Sequence, residues 1–245
     1  MKAGQRRWMA LALVLTAFLA VIALSPKTAL AEDRTVTSAS DLAEAAASAA
    51  EGDTITLGSS FETTKVTFNV GVTLDLGGNE LRVVRASGSQ SAPGLEFAGG
   101  SSVLRNGTII DMRSQGNDTC GYVAVYVTGS DTALVTEDLA VRSYEPNNTA
   151  NYNYMLRAVA GSSLTLNSGT KVSELDQEGL TWGESTYGTA GVTVLGPVGA
   201  SAETIDEATA TKLTVNEGAS ITTSSFAVSG NGTSHTRSSP LTVAR

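Results

Sequence analysis

A five-residue pattern of apolar, any, apolar, any and glycine recurs along this chain from residue 95 onward, and few folds can absorb such a recurrence. It appears as Leu95-Glu96-Phe97-Ala98-Gly99, Val125-Tyr126-Val127-Thr128-Gly129, Val192-Thr193-Val194-Leu195-Gly196 and Phe226-Ala227-Val228-Ser229-Gly230. A weaker copy sits at Arg157-Ala158-Val159-Ala160-Gly161. The glycines fall about 30–35 residues apart, the spacing of a structural repeat. Each copy is followed by a second alternating run and often a turn rich in Asn and Gly, as in Val103-Leu104-Arg105-Asn106-Gly107 and Leu213-Thr214-Val215-Asn216-Glu217-Gly218. A third short run then comes at Ile109, Leu139–Val141, Val172 or Ile221. Three short strands per repeat predict an all-β fold, a single-stranded parallel β-helix (a solenoid). The competing reading is a β-sandwich, which also alternates but lacks one fixed three-part period.

With 25 glycines, few aromatics and abundant Thr, Ser, Val and Asn, the composition favours strands and turns. One segment departs from it. Residues 40–50 predict a helix with Ser40 as N-cap, Asp41 and Glu44 in the first turn, Leu42, Ala45, Ala46 and Ala49 on one face, and Gly52 as the stop. That short N-terminal helix is placed to cap the first coil. Pro240–Arg245 reads as the second strand of a new coil, from which a chain truncated at its C-terminus is expected.

The first 31 residues read as a secretory signal peptide: Lys2, Arg6 and Arg7, then the apolar run Trp8–Leu24, the breaker Pro26, and Ala29-Leu30-Ala31 before Glu32. An uncleaved anchor is the competing reading, since the apolar run is long. The domain is therefore expected over residues 32–245, exported, and secreted or attached to the cell surface or wall. Cleavage removes Lys2, Arg6, Arg7 and Lys27 but none of the 24 acidic residues, so the mature chain is more acidic than the net −8 of the whole. That balance argues against nucleic acid or an anionic membrane as partner. Cys120 is the one cysteine, so an internal disulfide is ruled out.

The helix Ser40-Asp41-Leu42-Ala43-Glu44-Ala45, then Gly52-Asp53-Thr54-Ile55-Thr56-Leu57 and Gly71-Val72-Thr73-Leu74-Asp75-Leu76-Gly77-Gly78, resembles the start of pectin-lyase-like right-handed parallel β-helix proteins. The likeness is greatest to the adhesin-like surface proteins of bacteria, and it covers most of residues 34–245. It implies a right-handed coil, with Asp75 and Gly77-Gly78 serving coil geometry and not chemistry.

Loops 113–121, 143–154 and 174–190 each precede the first strand of a coil, so stacking predicts that they share one side. Tyr144, Tyr152, Tyr154, Trp182 and Tyr187 lie there and are the candidate ligand-binding residues, because aromatic faces stack on sugar rings. A binding or adhesion module for glycan or host surface material follows, with no cofactor or metal implied. Two alternatives stay open. One is a polysaccharide lyase or glycoside hydrolase using Asp118, Arg157, Asp176, Glu178 and Glu184, although no spacing demands the carboxylate separation that hydrolysis needs. The other is a structural stalk in a larger surface protein. His235, the one histidine, is expected to be solvated.

Overall fold

Alternation with a period of two turns into short strands that lie side by side, and every pairing among the described strands is parallel. The computed structural model describes residues 31–84, 93–113, 122–144, 153–175, 189–196, 209–223, 226–230 and 234–238, all in the unit Ala31–Arg245. In chain order the elements open with β1 (Asp33–Val36), α1 (Ala39–Ser48), β2 (Thr54–Leu57), β3 (Phe61–Thr63) and β4 (Val66–Phe68). They continue with β5 (Thr73–Asp75), β6 (Glu80–Val83), β7 (Leu95–Phe97), β8 (Ser101–Asp111), β9 (Val123–Thr128) and β10 (Ala133–Tyr144). Then follow β11 (Asn153–Val159), β12 (Ser163–Leu166), β13 (Lys171–Leu175), β14 (Thr189–Val194), β15 (Thr211–Val215), β16 (Ser220–Thr222), β17 (Val228–Gly230) and β18 (Ser234–Ser238).

These strands form two sheets. The first runs β1-β2-β5-β8-β10-β12-β15-β18, and a second lane branches from it through β3-β6-β8 and β10-β13-β16. The long β8 and β10 serve both lanes. The second sheet runs β4-β7-β9-β11-β14-β17. From β4 onward the chain repeatedly visits the second sheet, then the first lane, then the second lane. The architecture is therefore all-β and built from stacked parallel strands, as the repeat predicts.

Where the sequence suggests a turn at Asn106-Gly107, β8 instead continues through a bend. Asn106 takes φ 59°, and Asp138, between the paired Glu137↔Arg105 and Leu139↔Gly107, takes φ 43°. Short polar side chains tolerate this left-handed region. In the next coil the corner is Gly169 at φ 79°, where a Cβ would lie 2.0 Å from Asp138 Oδ1, so only glycine fits. The bends are tied along the stack. Asp75 Oδ1 accepts from Gly77 N (2.9 Å) and Asn106 Nδ2 (3.0 Å), and Asp75 Oδ2 accepts from Arg105 Nε (2.9 Å). Asn167 Nδ2 donates to Glu137 Oε1, and Asn216 Nδ2 donates to Asn167 Oδ1 at 2.7 Å. Asp75 therefore ties the turn after β5 to the bend of β8.

Register corrects two of the repeats. Val125 and Val127 pair with Leu156 and Ala158, both fully buried, so the weak copy runs one residue earlier than Arg157-Ala158-Val159. The extra residue is absorbed by two successive left-handed positions, Ala160 (φ 57°) and Gly161 (φ 82°). A one-residue shift exchanges the two faces of a strand, and Arg157 thereby faces outward. Likewise Val192 pairs with Val228, not with Phe226, which is 53% exposed. A shift of two preserves the face, so alternation alone cannot detect it.

The helix also starts earlier than predicted. Ser38, not Ser40, is the N-cap: its side chain accepts from Asp41 N while Asp41 Oδ2 accepts from Thr37 N. Leu42, Ala45 and Ala46 are buried on the face toward β4, β3 and β1. Burying Leu42 alone contributes about 1.5–3 kcal/mol. The helix ends at Ser48, four residues before Gly52, whose φ of 89° belongs to the following turn.

Asp53 fastens this end. Buried beside Arg34, it accepts from Ala50 N (3.0 Å) and Glu32 N (2.9 Å), and these backbone donors hold its carboxyl below the ordinary aspartate range. A depressed native pKa means that the unfolded chain binds the proton more readily. The contribution is therefore complete above about pH 4 and is lost as pH falls through the native value. Hydrogen exchange in β1 and α1 is expected to accelerate ahead of the later strands below about pH 4, and Asp53→Asn should reduce that pH dependence, leaving the part due to Asp41, whose carboxyl is also held low by its cap contacts to Ser38 and Thr37. Uniform acceleration across all strands would contradict it.

Candidate functional site

The three loops leave and return at stacked positions. Their departure points are in register, Asp111 with Ser143 and Ser143 with Glu174, and so are their return points, Val123 with Tyr154 and Tyr154 with Ala190. The anchors of all three loops therefore lie on one side, as stacking requires.

Between the anchors of the first loop is a buried ion pair. Arg113 donates from Nε to Asp111 Oδ1 (2.8 Å) and from Nη2 to Asp111 Oδ2 (2.6 Å), a two-pronged contact whose side chains are 5% and 1% exposed. Nη2 also donates to Val123 O at 2.8 Å, and the guanidinium lies 4.8 Å from the Tyr122 ring centroid. Arg113 thus ties the end of β8 to the start of β9 across the loop between them. Ser143 and Glu174, buried at the matching positions of the next two strands, extend this polar column.

The second sheet presents a different surface outward. Register aligns Thr67, Glu96, Tyr126, Arg157, Thr193 and Ser229 in one row, each on the next strand, about 4.8 Å apart. Their neighbours Phe68, Leu95, Phe97, Val125, Val127, Leu156 and Val192 are buried, so the row faces away from the core. Glu96 is occupied: it pairs with Lys65 at 2.5 Å and accepts from Thr67 Oγ1 at 3.1 Å. Arg157 differs. Its guanidinium lies 5.1 Å from the centroid of the Tyr154 ring, and its Nε is shielded from solvent with no hydrogen-bond partner. Thr193 Oγ1, on the strand paired with it, is likewise shielded and unpartnered.

Of the sequence candidates, the structure brings Tyr154 and Arg157 together. Tyr144 ends β10 with its backbone paired to Leu175, and its side chain lies outside the described residues. Asp118, Tyr152, Asp176, Glu178, Trp182, Glu184 and Tyr187 also lie outside them. Sequence reasoning did not select Tyr126 or Thr193, although both occupy the second position of the repeat. The shifted reading of the Arg157 copy broke the row that would have joined them. Arg113, grouped with the loop by sequence, belongs to its foundation.

Among the described residues no group of three His, Cys, Asp or Glu is placed to hold a metal, and no helix is long and apolar enough to cross a membrane. Compared with protein-family models, curated proteins and solved structures, the chain matches none. Fold and site together define an all-β protein of parallel stacked strands with an outward row of tyrosine, arginine and hydroxyl groups.

Proposed function

We propose that this chain is an exported right-handed parallel β-helix of the pectin-lyase-like, adhesin-like kind, and that it acts as a glycan-binding module, secreted or at the cell surface. The coil reading is supported by three parallel lanes visited in constant order. Export is supported by the basic, apolar and A-x-A blocks of residues 1–31. The observation that carries the binding reading is the row on the second sheet, with Tyr126 and Arg157 on paired strands and the Tyr154 ring against Arg157. Tyrosine supplies an apolar face for a sugar ring and a hydroxyl at its tip, while arginine and threonine supply donors to sugar oxygens. A row repeating about every 4.8 Å offers successive contacts along an extended chain. The return anchors of the three loops lie at the start of these same strands.

The test is a glycan array probed with the mature protein, paired with assays for newly formed reducing or unsaturated ends. Binding without release of ends is expected, together with loss of binding in Tyr126→Ala and Tyr154→Ala. Each loss should reach about fivefold or more, the effect of about 1 kcal/mol from a stacked ring. Release of ends would assign an enzyme instead, and no binding to any glycan would leave the stalk reading.

A further inference from the structure

We infer that the pair Arg157 and Thr193 forms an oxyanion subsite, so that the glycan of the proposed function is one carrying carboxylate, sulfate or phosphate groups. This rests on that binding reading but makes a separate claim about charge. Three observations converge on it. First, Arg157 Nε and Thr193 Oγ1 are both shielded from solvent and both lack a hydrogen-bond partner, and the two residues are directly paired across β11 and β14. Unpartnered buried polar atoms are rare in native proteins, and an absent ion is among their ordinary causes. Thr132 Oγ1 and Thr223 Oγ1 are unpartnered too, but Arg157 and Thr193 are paired in register, which sets two donors on neighbouring strands side by side.

Second, Arg157 pairs with no carboxylate among the described residues, and among them it is the one arginine whose Nε is shielded from solvent without a hydrogen-bond partner. Third, the Tyr154 ring fixes the guanidinium from one face. That leaves its planar fork of donors preorganised for an acceptor of matching geometry, which carboxylate, sulfate and phosphate all share. Thr193, only 3% exposed, adds a third donor from the neighbouring strand.

The Nε–Hε resonance of Arg157 gives a direct readout. Titration of the mature protein with acetate, sulfate and inorganic phosphate should move it, and the strongest of the three identifies the anion class. Affinity should then be measured for polygalacturonate, dextran sulfate, phosphorylated dextran and neutral dextran. At least one charged polymer is expected to bind more tightly than dextran. Arg157→Gln should weaken that binding at least about tenfold, with Arg157→Lys intermediate and Thr193→Val a few-fold weaker. Urea midpoints near that of the parent protein show that the variants are folded.

Dextran bound as tightly as every charged polymer, with Arg157→Gln silent, would overturn the inference and leave glycan binding standing. Small anions shifting the Nε–Hε signal while no polymer binds would keep the subsite and remove the glycan. A signal unmoved by all three anions, with charged-polymer affinity unchanged in Arg157→Gln, would overturn it outright.

Discussion

Replacing Asp111 with alanine is expected to destabilise the protein by about 3–5 kcal/mol, the cost of removing one side of a buried ion pair. Arg113 sits 5% exposed against a carboxylate 1% exposed, so deleting the carboxylate removes a two-pronged, charge-assisted contact from a low-dielectric site. The contacts to Val123 O and the Tyr122 ring supply no formal negative charge in its place. Replacing both partners, as Asp111→Leu with Arg113→Met, removes both buried charges together and should recover most of the loss, because buried pairs are nearly balanced against apolar residues of similar size. Urea unfolding of the single and double variants makes the comparison. If the double variant is no more stable than Asp111→Ala, the cost lies in the backbone contacts of Arg113 and the charge argument fails.

The same clamp shows where the sequence was informative and where it was not. Strands and their sidedness were legible because alternation is a local signal, and because the three-part repeat fixed the order of strands within each coil. The closing of β8 onto β9 by Arg113 was not legible. Asp111-x-Arg113 looks like any charged loop entry, and its meaning depends on Val123, ten residues on, arriving beside it. Long-range register carries that information and periodicity does not.

Register also explains the partial view of the candidate site. A slip of one residue at Arg157 hid the outward row, although the sequence contained a warning: it put an arginine at a position filled in other copies by Leu, Val or Phe. Leu156 and Ala158 were the inward alternative, and the adjoining Ala160-Gly161 was the place where an extra residue could be absorbed. The slip of two at Phe226 gave no such warning, since both frames keep apolar residues on the inner face. At the N-terminal end, the choice between Ser38 and Ser40 was decidable. Ser38 has Asp41 three residues later and Ser40 has only Ala43, so the reciprocal cap was available to the first serine alone.

The largest stability loss from a core residue is expected at Phe97, where alanine should cost about 3–5 kcal/mol. Phe68 and Phe97 are paired in register on β4 and β7, both fully buried, with ring centroids 5.0 Å apart and planes 18° from parallel. The column then narrows: Val127, Ala158 and Val194 follow Phe97 on successive strands of the sheet. A void opened at Phe97 therefore has a large rigid ring on one side and a branched valine on the other. Neither can swing into it, and the backbone on both sides is fixed by parallel pairing. Phe97→Leu keeps most of the volume and should cost about 1.5 kcal/mol or less. The rings touch, so Phe68→Ala and Phe97→Ala should not add: once one ring is gone the other has already lost the stacking worth about 0.5–1.5 kcal/mol. Urea midpoints for the two single variants and the double variant close the cycle. Strict additivity would mean that the ring stacking contributes nothing, and a loss below about 1 kcal/mol in Phe97→Ala would mean that the narrow end of the core collapses onto the gap.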